Sequence, residues 1–229
     1  MPAPITVLIP TLNAARGLGG TLASLIEGIE AGLIRELVVA DGGSTDQTQS
    51  IVEDAGAVWV PAAGGRGGQL RTGAGRARGD WLLILHADTQ LSDGWSEAVE
   101  DHIASGTDRA GYFKLAFRSP AMAARITAGW ANLRSRLAGL PYGDQGLLIH
   151  RDALKAAGGI PDIPLMEDVA LARALKGRLV ALNAVAWTSP ARYQAEGWIR
   201  RGARNLVTLA RYLAGADPKA LAKSYNRKG

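Results

Sequence analysis

The fold is decided by "WLLILHADTQL", residues 81–91. Five apolar residues, Trp81 to Leu85, run unbroken and then meet His86, Ala87, Asp88 and Thr89. A run that short and that apolar reads as a strand buried on both faces, the kind found in parallel sheets covered by helices. Working outward, ITVLI (5–9), ELVVA (36–40) and AVWV (57–60) share its character. The gaps of 26, 16 and 20 residues between the four runs fit crossover helices, so an α/β core with a parallel, doubly wound sheet is expected. Asn13 is expected to open the first helix, and Ser44, Thr45 and Asp46 precede the apolar period of another.

After Leu91 the rhythm changes. Residues 93–105 and 120–138 read as helices, the latter with small residues along one side, and GYFKLAF (111–117) alternates like a half-buried strand. GLLIH (146–150) is a further strand, followed by helices near 151–157 and 167–176 and short strands near 179–187. A basic helical tail, 196–225, breaks at Asp217-Pro218. With no internal repeat and no separating linker, the second half reads as a smaller mixed extension of the same sheet, followed by C-terminal helices. Residues 1–229 are expected to form one domain.

At 229 residues and 47% hydrophobic content the chain can bury one large core. The absence of cysteine excludes disulfide frameworks, thiolate nucleophiles and cysteine-held metals. The opening "MPAPITVLIPTLN" lacks a basic leader, and no run approaches the roughly 20 apolar residues of a membrane span. A cytoplasmic protein is expected, soluble or peripheral at the inner face of the membrane. Arg192–Gly229 carries nine Lys/Arg against two Asp/Glu, which leaves residues 1–191 at a net −2 within the formal +5. In "WIRRGARNLVTLARYLAG" (198–215), Trp198, Leu206, Leu209 and Leu213 fall near one stripe, with Arg200, Arg201, Arg204 and Arg211 elsewhere. That pattern fits a membrane surface or packing against the sheet. No aromatic platform with interleaved basic residues is present, so nucleic acid is not an expected partner.

Open parallel sheets bind ligands outside the carboxyl ends of their strands. The exits here are PTLN (10–13), DGGSTD (41–46), PAAGGRGGQLRTGAGRARGD (61–80) and HADT (86–89), which together suit a nucleotide. The Walker A pattern is missing, and Leu70 stands where a dinucleotide fingerprint needs its third glycine. The Gly/Arg-rich stretch reads as an anion-binding loop or a mobile surface loop. His86 and Asp88, two apart on a strand end, share a face. One Asp suffices for Mg²⁺ beside substrate phosphates, and an imidazole as second ligand favours Mn²⁺. Equally, His86 fits a ribose hydroxyl and Asp88 a turn. Farther on, Asp144 and Gln145 precede a strand, and Glu167 and Asp168 sit at a helix start, where capping is the plain explanation. Adjacent helical acids diverge by about 100°, which argues against the opposed carboxyl pair of a glycosidase and suits a single general base.

The ordered set IPTLN, DGGSTD, GGRGGQLRTGAGRARGD, HADT, GDQG and MEDVAL resembles the family-2 glycosyltransferases, which have the A-type glycosyltransferase fold. It is most similar to a small bacterial branch whose metal motif reads His-Ala-Asp-Thr in place of Asp-x-Asp. The resemblance covers roughly residues 4–225. It implies that Pro10, Thr11 and Asn13 line the nucleotide pocket and that Asp41 meets the uracil or its ribose, with Gly42 standing where the family has a second acid. Arg66, Gln69 and Arg71 become diphosphate or sugar contacts, His86 a donor-side residue and Asp88 the ligand of Mn²⁺ or Mg²⁺. Asp144, Gln145 and Glu167 fall on the acceptor side, Asp168 is the catalytic base, and Arg192-Tyr193 approximates the family's Arg-Trp element. Residues 1–91 would then be the nucleotide-sugar half, 92–195 the acceptor and catalytic half, and 196–229 the tail. The activity implied is a hexosyltransferase-like, inverting transfer from a UDP-sugar to an acceptor hydroxyl, one that a lipid can carry. The rival readings are a sugar-phosphate nucleotidyltransferase, whose Gly/Arg loop however follows the first strand, and a non-catalytic nucleotide- or nucleic-acid-binding module.

Overall fold

The four apolar runs become β1 (Ile5–Thr11), β2 (Ile34–Asp41), β3 (Val58–Pro61) and β4 (Trp81–Ile84) of a computed structural model that describes residues 3–63 and 65–226. They pair in parallel in the order β3-β2-β1-β4. The crossovers are α1 (Ala15–Ser24) with α2 (Ile26–Glu30), α3 (Thr48–Asp54) and α4 (Gly65–Arg76). Period-two alternation sends Ile5, Val7, Ile9, Val39 and Leu83 into one apolar layer, with Leu18 and Trp95 packed above them. Leu8, Val38, Ala40, Leu82 and Ile84 enter the other, against Leu70, Leu171 and Leu175. Burial on both faces is why β1, β4 and the second half of β2 read as unbroken apolar runs, while β3 lies at the sheet edge with Val58 exposed.

The second half adds β5 (Thr89–Leu91), α5 (Trp95–Ala104), β6 (Ala110–Phe117), α6 (Met122–Ala138), a 3₁₀ turn at Gly143–Gln145, β7 (Leu147–His150), α7 (Arg151–Ala156), α8 (Glu167–Ala174), β8 (Leu179–Thr188), α9 (Ala191–Glu196), α10 (Trp198–Leu213) and α11 (Pro218–Asn226). The full sheet runs β3-β2-β1-β4-β7-β6-β8-β5, with β7 antiparallel to both β4 and β6, and β5 antiparallel to β8. The expected mixed extension is therefore present.

Four local expectations are corrected. The Gly/Arg-rich stretch is largely helix α4, not a loop, although glycine costs about 1 kcal/mol per residue relative to alanine in a helix. Close packing overrides that propensity. A methyl group at Gly73 would collide with Leu8 of β1, one at Gly67 with the carbonyl oxygens of Pro161 and Ile163, and one at Gly68 with the Ala63 carbonyl. Asn13 is not the first helix cap; it takes φ +50° one residue earlier, and Ala14 holds the cap position. Residues 179–188 form one strand, because β8 spans β6 on one side and β5 on the other. The tail stripe divides: Leu209 is buried with Met166 and Val169, and Trp198 stacks on Tyr193 at 4.9 Å and meets Phe117 at 5.1 Å.

Candidate active site

At the carboxyl ends of β1 and β2 the polar groups are committed to one another. Asp41 is 2% exposed. Its carboxylate accepts hydrogen bonds from Thr11 Oγ1 (2.8 Å), Ser44 Oγ (2.5 Å) and the backbone N–H groups of Gly43 (2.8 Å) and Ser44 (2.7 Å). Burial by itself would raise its pKa, but these donors outweigh burial and hold it below the ordinary carboxylate value. Asn13 Oδ1 accepts from Thr45 N–H at 2.8 Å, which ties the first exit to the second. Gln69 of α4 donates to the carbonyls of Thr11 (2.5 Å) and Ala40 (3.2 Å). Half-buried Pro10 pairs with Ala40 in the ladder. Gly42 also acquires a reason: a Cβ there would lie 2.8 Å from Gln69 Nε2. Thr11, Asn13, Asp41 and Gln69 thus form one hydrogen-bonded frame across the exits of β1 and β2.

The opposite arrangement holds where β4, α4, α8 and the Gly143–Gln145 turn meet. His86 Nδ1 and Asp88 Oδ1 stand 4.0 Å apart, and Arg118 donates to the Asp88 carbonyl at 3.0 Å, which fixes the strand exit. Arg66 Nε faces Glu167 Oε1 at 3.0 Å. A methyl group at Gly143 would collide with Arg66 Nη2 and lie 2.7 Å from His86 Nε2, so only glycine admits both side chains. The Gly143 N–H donates to Asp168 Oδ2 at 2.8 Å, and the Val169 N–H to Oδ1 at 2.8 Å, which orients that carboxylate at the start of α8.

His86 Nε2, Arg134 Nη2, Tyr142 Oη and Asp144 Oδ1 are buried here without a hydrogen-bond partner, and Arg66 Nε and Glu167 Oε1 are buried facing only each other as an ion pair. Such atoms are scarce in folded proteins, and their concentration at one strand exit marks a place built for a polar ligand. Burial, reinforced by the charges of Arg66 and Arg192, drives the His86 pKa well below its ordinary value, so the imidazole is neutral with a lone pair to give. Burial raises Asp144 to about 6, with Asp168 and Asp88 adding to the rise and Arg134 and Arg66 opposing it. Burial likewise pushes Glu167 upward against the pull of Arg66. Tyr142 is raised to about 12 by burial, with the Arg134 guanidinium 3.5 Å from its ring centre.

Arg66, His86, Asp88, Asp144, Glu167 and Asp168 are brought together; two expected residues are not. Arg71 lies on another flank of α4, 66% exposed, and faces Asp162 at 3.6 Å. Gln145 is fully buried, donating to the Phe113 carbonyl at 3.1 Å and accepting from Ser135 Oγ at 2.5 Å, so it braces α6 against β6. The structure adds Tyr142 and Arg134. Tyr142 adjoins GDQG and was open to that signal, whereas Arg134 lies on a helix with no motif to announce it.

No three His, Asp or Glu side chains converge as a ligand set among the described residues. Asp88 and the neutral His86 are two donors beside the orphaned atoms, a set that fits Mn²⁺ or Mg²⁺ whose remaining positions are filled by substrate phosphate and water.

The sequence model of glycosyl transferase family 2 matches residues 6–119. The chain is 31% identical over 112 residues to glycosyltransferase AglJ of Haloferax volcanii, covering 47% of this chain and 36% of that one. It is 35% identical over 103 residues to a PGL/p-HBAD biosynthesis glycosyltransferase of Mycobacterium bovis, covering 40% and 38%. These matches therefore span little more than a third of either relative. Staphylococcus aureus TarS 1–349 in complex with UDP superposes with a TM-score of 0.60 at 18% identity, over 95% of this chain and 68% of that one. Glucosyl-3-phosphoglycerate synthase of Mycobacterium tuberculosis, in complex with Mn²⁺, UDP and phosphoglyceric acid, gives 0.56 at 18% identity over 93% and 78%. Both share the fold, and with the motif order and the matched residues 6–119 the chain belongs to glycosyl transferase family 2.

Proposed function

We propose that the chain transfers a sugar from a nucleoside-diphosphate donor, a UDP-sugar, to an acceptor hydroxyl with inversion at the anomeric carbon. The observation that carries this reading is the set of four orphaned buried atoms, of His86, Arg134, Tyr142 and Asp144, gathered with the Arg66–Glu167 ion pair beside Asp168 at the exit of β4. Asp168, oriented by the Gly143 and Val169 N–H groups, takes the proton of the attacking hydroxyl. General bases of this kind contribute about 10²- to 10⁴-fold. Arg66, steadied by Glu167, and Arg192, whose charge reaches His86, place positive charge where the diphosphate departs. Asp88 and His86 would hold a divalent ion, which would supply charge neutralisation for the leaving group. Asp144, its pKa raised to about 6 by burial, faces the acceptor side. Pro10, Thr11, Asn13, Asp41 and Gln69 shape the wall for base and ribose.

In the nucleotidyltransferase reading the Gly/Arg stretch wraps phosphates as an open loop. Here its glycines are spent on contact with β1 and with residues 161–163, which favours the transferase. The similarity to a PGL/p-HBAD biosynthesis enzyme, and the basic tail, support a lipid-linked acceptor and a peripheral place at the inner membrane face of the cytoplasm. A panel of nucleotide sugars assayed for metal-dependent turnover tests the reading. Asp168→Asn is expected to bind the preferred donor with unchanged affinity while turnover falls at least 100-fold. Turnover surviving in that variant removes Asp168 from the base's role.

A further inference from the structure

Helix α6 is built inside out. Its sheet-facing positions carry small residues, with Ala124, Ala128 and Ser135 buried, so the helix lies close on β6. Its large apolar residues point the other way: Met122, Ile126, Trp130, Leu133 and Leu137 are 45–75% exposed. Their spacing of four, four, three and four places them on a single stripe. An ordinary surface helix buries that stripe and exposes its small residues.

The neighbouring helix α10 buries Leu209 but also turns large apolar residues outward. Ile199 is 89% exposed, and Leu206, Val207 and Leu213 follow it at 48–62%, with exposed Ala203 and Ala210 between. Apolar surface of this extent on a soluble chain marks a docking face. Its charge names the occupant. Helices α6, α10 and α11 contain no acidic residue, while Arg125, Arg136, Arg200, Arg211, Lys219 and Lys223 are exposed on them. An exposed tryptophan in mid-stripe with arginines flanking it is the composition of a helix lying in a lipid interface. Pairing α6 with a second copy of itself would set these arginines against their own kind, with no acid on the helix to answer them.

We infer that α6 and α10 together form a docking face for an anionic bilayer, α6 supplying the deeper apolar stripe. This deepens the peripheral placement proposed above, and moves its centre from the tail to a helix in the body of the domain. Among the described residues no helix is long and apolar enough to cross a membrane, so both helices lie in the interface plane. The face adjoins the acceptor side. Arg134 of α6 covers Tyr142, while Leu209 and Tyr212 of α10 pack with Met166 and Val169 on either side of Asp168. A hydroxyl carried on a lipid would thus reach Asp168 from the bilayer surface.

Flotation of the full chain with phosphatidylcholine vesicles, with and without phosphatidylglycerol, tests the inference. The chain is expected to float with the anionic vesicles and to be released by high salt. Trp130→Ser combined with Leu133→Ser, both at exposed positions, should weaken partition about tenfold or more, and Arg200→Gln about fivefold. UDP binding should be unchanged in both variants, which separates failure of the docking face from failure of the transferase reading. Absence of flotation overturns the inference. So does a dimer in sedimentation velocity that Trp130→Ser dissolves, because the stripe is then a protein interface.

Discussion

At the exit of β2 the Asp41 carboxylate gathers four donors, whereas beside the Gly143–Gln145 turn Asp144 keeps an oxygen buried with no partner. The first acid is held charged; the second is pushed to about 6 by burial. In the proposed reading the difference separates two tasks. A donor pocket gains from walls that do not move, and its polar groups are satisfied before substrate arrives. An acceptor and diphosphate site must offer groups that substrate will satisfy, and the empty-handed state is costly.

Breaking the rigid side should have the largest effect on stability. Asp41→Ala strands the Thr11 and Ser44 hydroxyls and two N–H groups, and is expected to lower the free energy of unfolding by about 3 kcal/mol in urea melts. Because the Asp41 pKa is depressed in the fold, its contribution is present above the unfolded value of about 4 and fades as pH falls through the folded value.

Asp144 should behave with the opposite sign. Its folded pKa of about 6 lies above the unfolded value, so the folded state binds the extra proton and stability falls as pH rises between the two values. Asp144→Asn is therefore expected to stabilise the metal-free protein at pH 7.5 by up to about 3 kcal/mol, and to change little at pH 3.5. Equal stabilisation at both pH values would contradict a titrating Asp144.

A smaller effect sharpens the account of the frame. Gly42→Ala brings a methyl group against Gln69 and should cost about 1 kcal/mol, with less than the additive loss when Gln69→Ala is present as well. The smallest effect concerns Arg71. Arg71→Gln should leave stability within about 0.5 kcal/mol and UDP affinity unchanged, since the side chain stands off the site.

What could be read from the residues follows the same physical line. β1, β2 and β4 were legible because burial on both faces writes a continuous apolar run, and edge strand β3 because its short β-branched and aromatic run suits a strand. The positions of Asp88 after a strand and of Asp168 at a helix start were legible because the apolar run and the acidic first turn mark those boundaries. Helix α4 was not, because its glycines argue for a loop and the contacts that override them come from Leu8 and from residues 161–163, the latter some ninety residues away. Strand β5 has only three residues and exists through its pairing with β8. The bracing contacts of Gln69 and Gln145 were not legible, since the local pattern does not show which distant backbone carbonyls an amide will reach. The outward stripe of α6 was visible only as its complement, the small residues along one side.

The central claim is that Asp88, at the end of the run Trp81–Leu85, makes this a metal-assisted UDP-sugar site. Calorimetric titration of the full chain with UDP, in the presence and absence of Mn²⁺, measures it directly. Binding that requires the ion and vanishes in Asp88→Ala is the predicted result. UDP binding indifferent to the ion and to Asp88, or metal-independent binding of single-stranded RNA in its place, would contradict it.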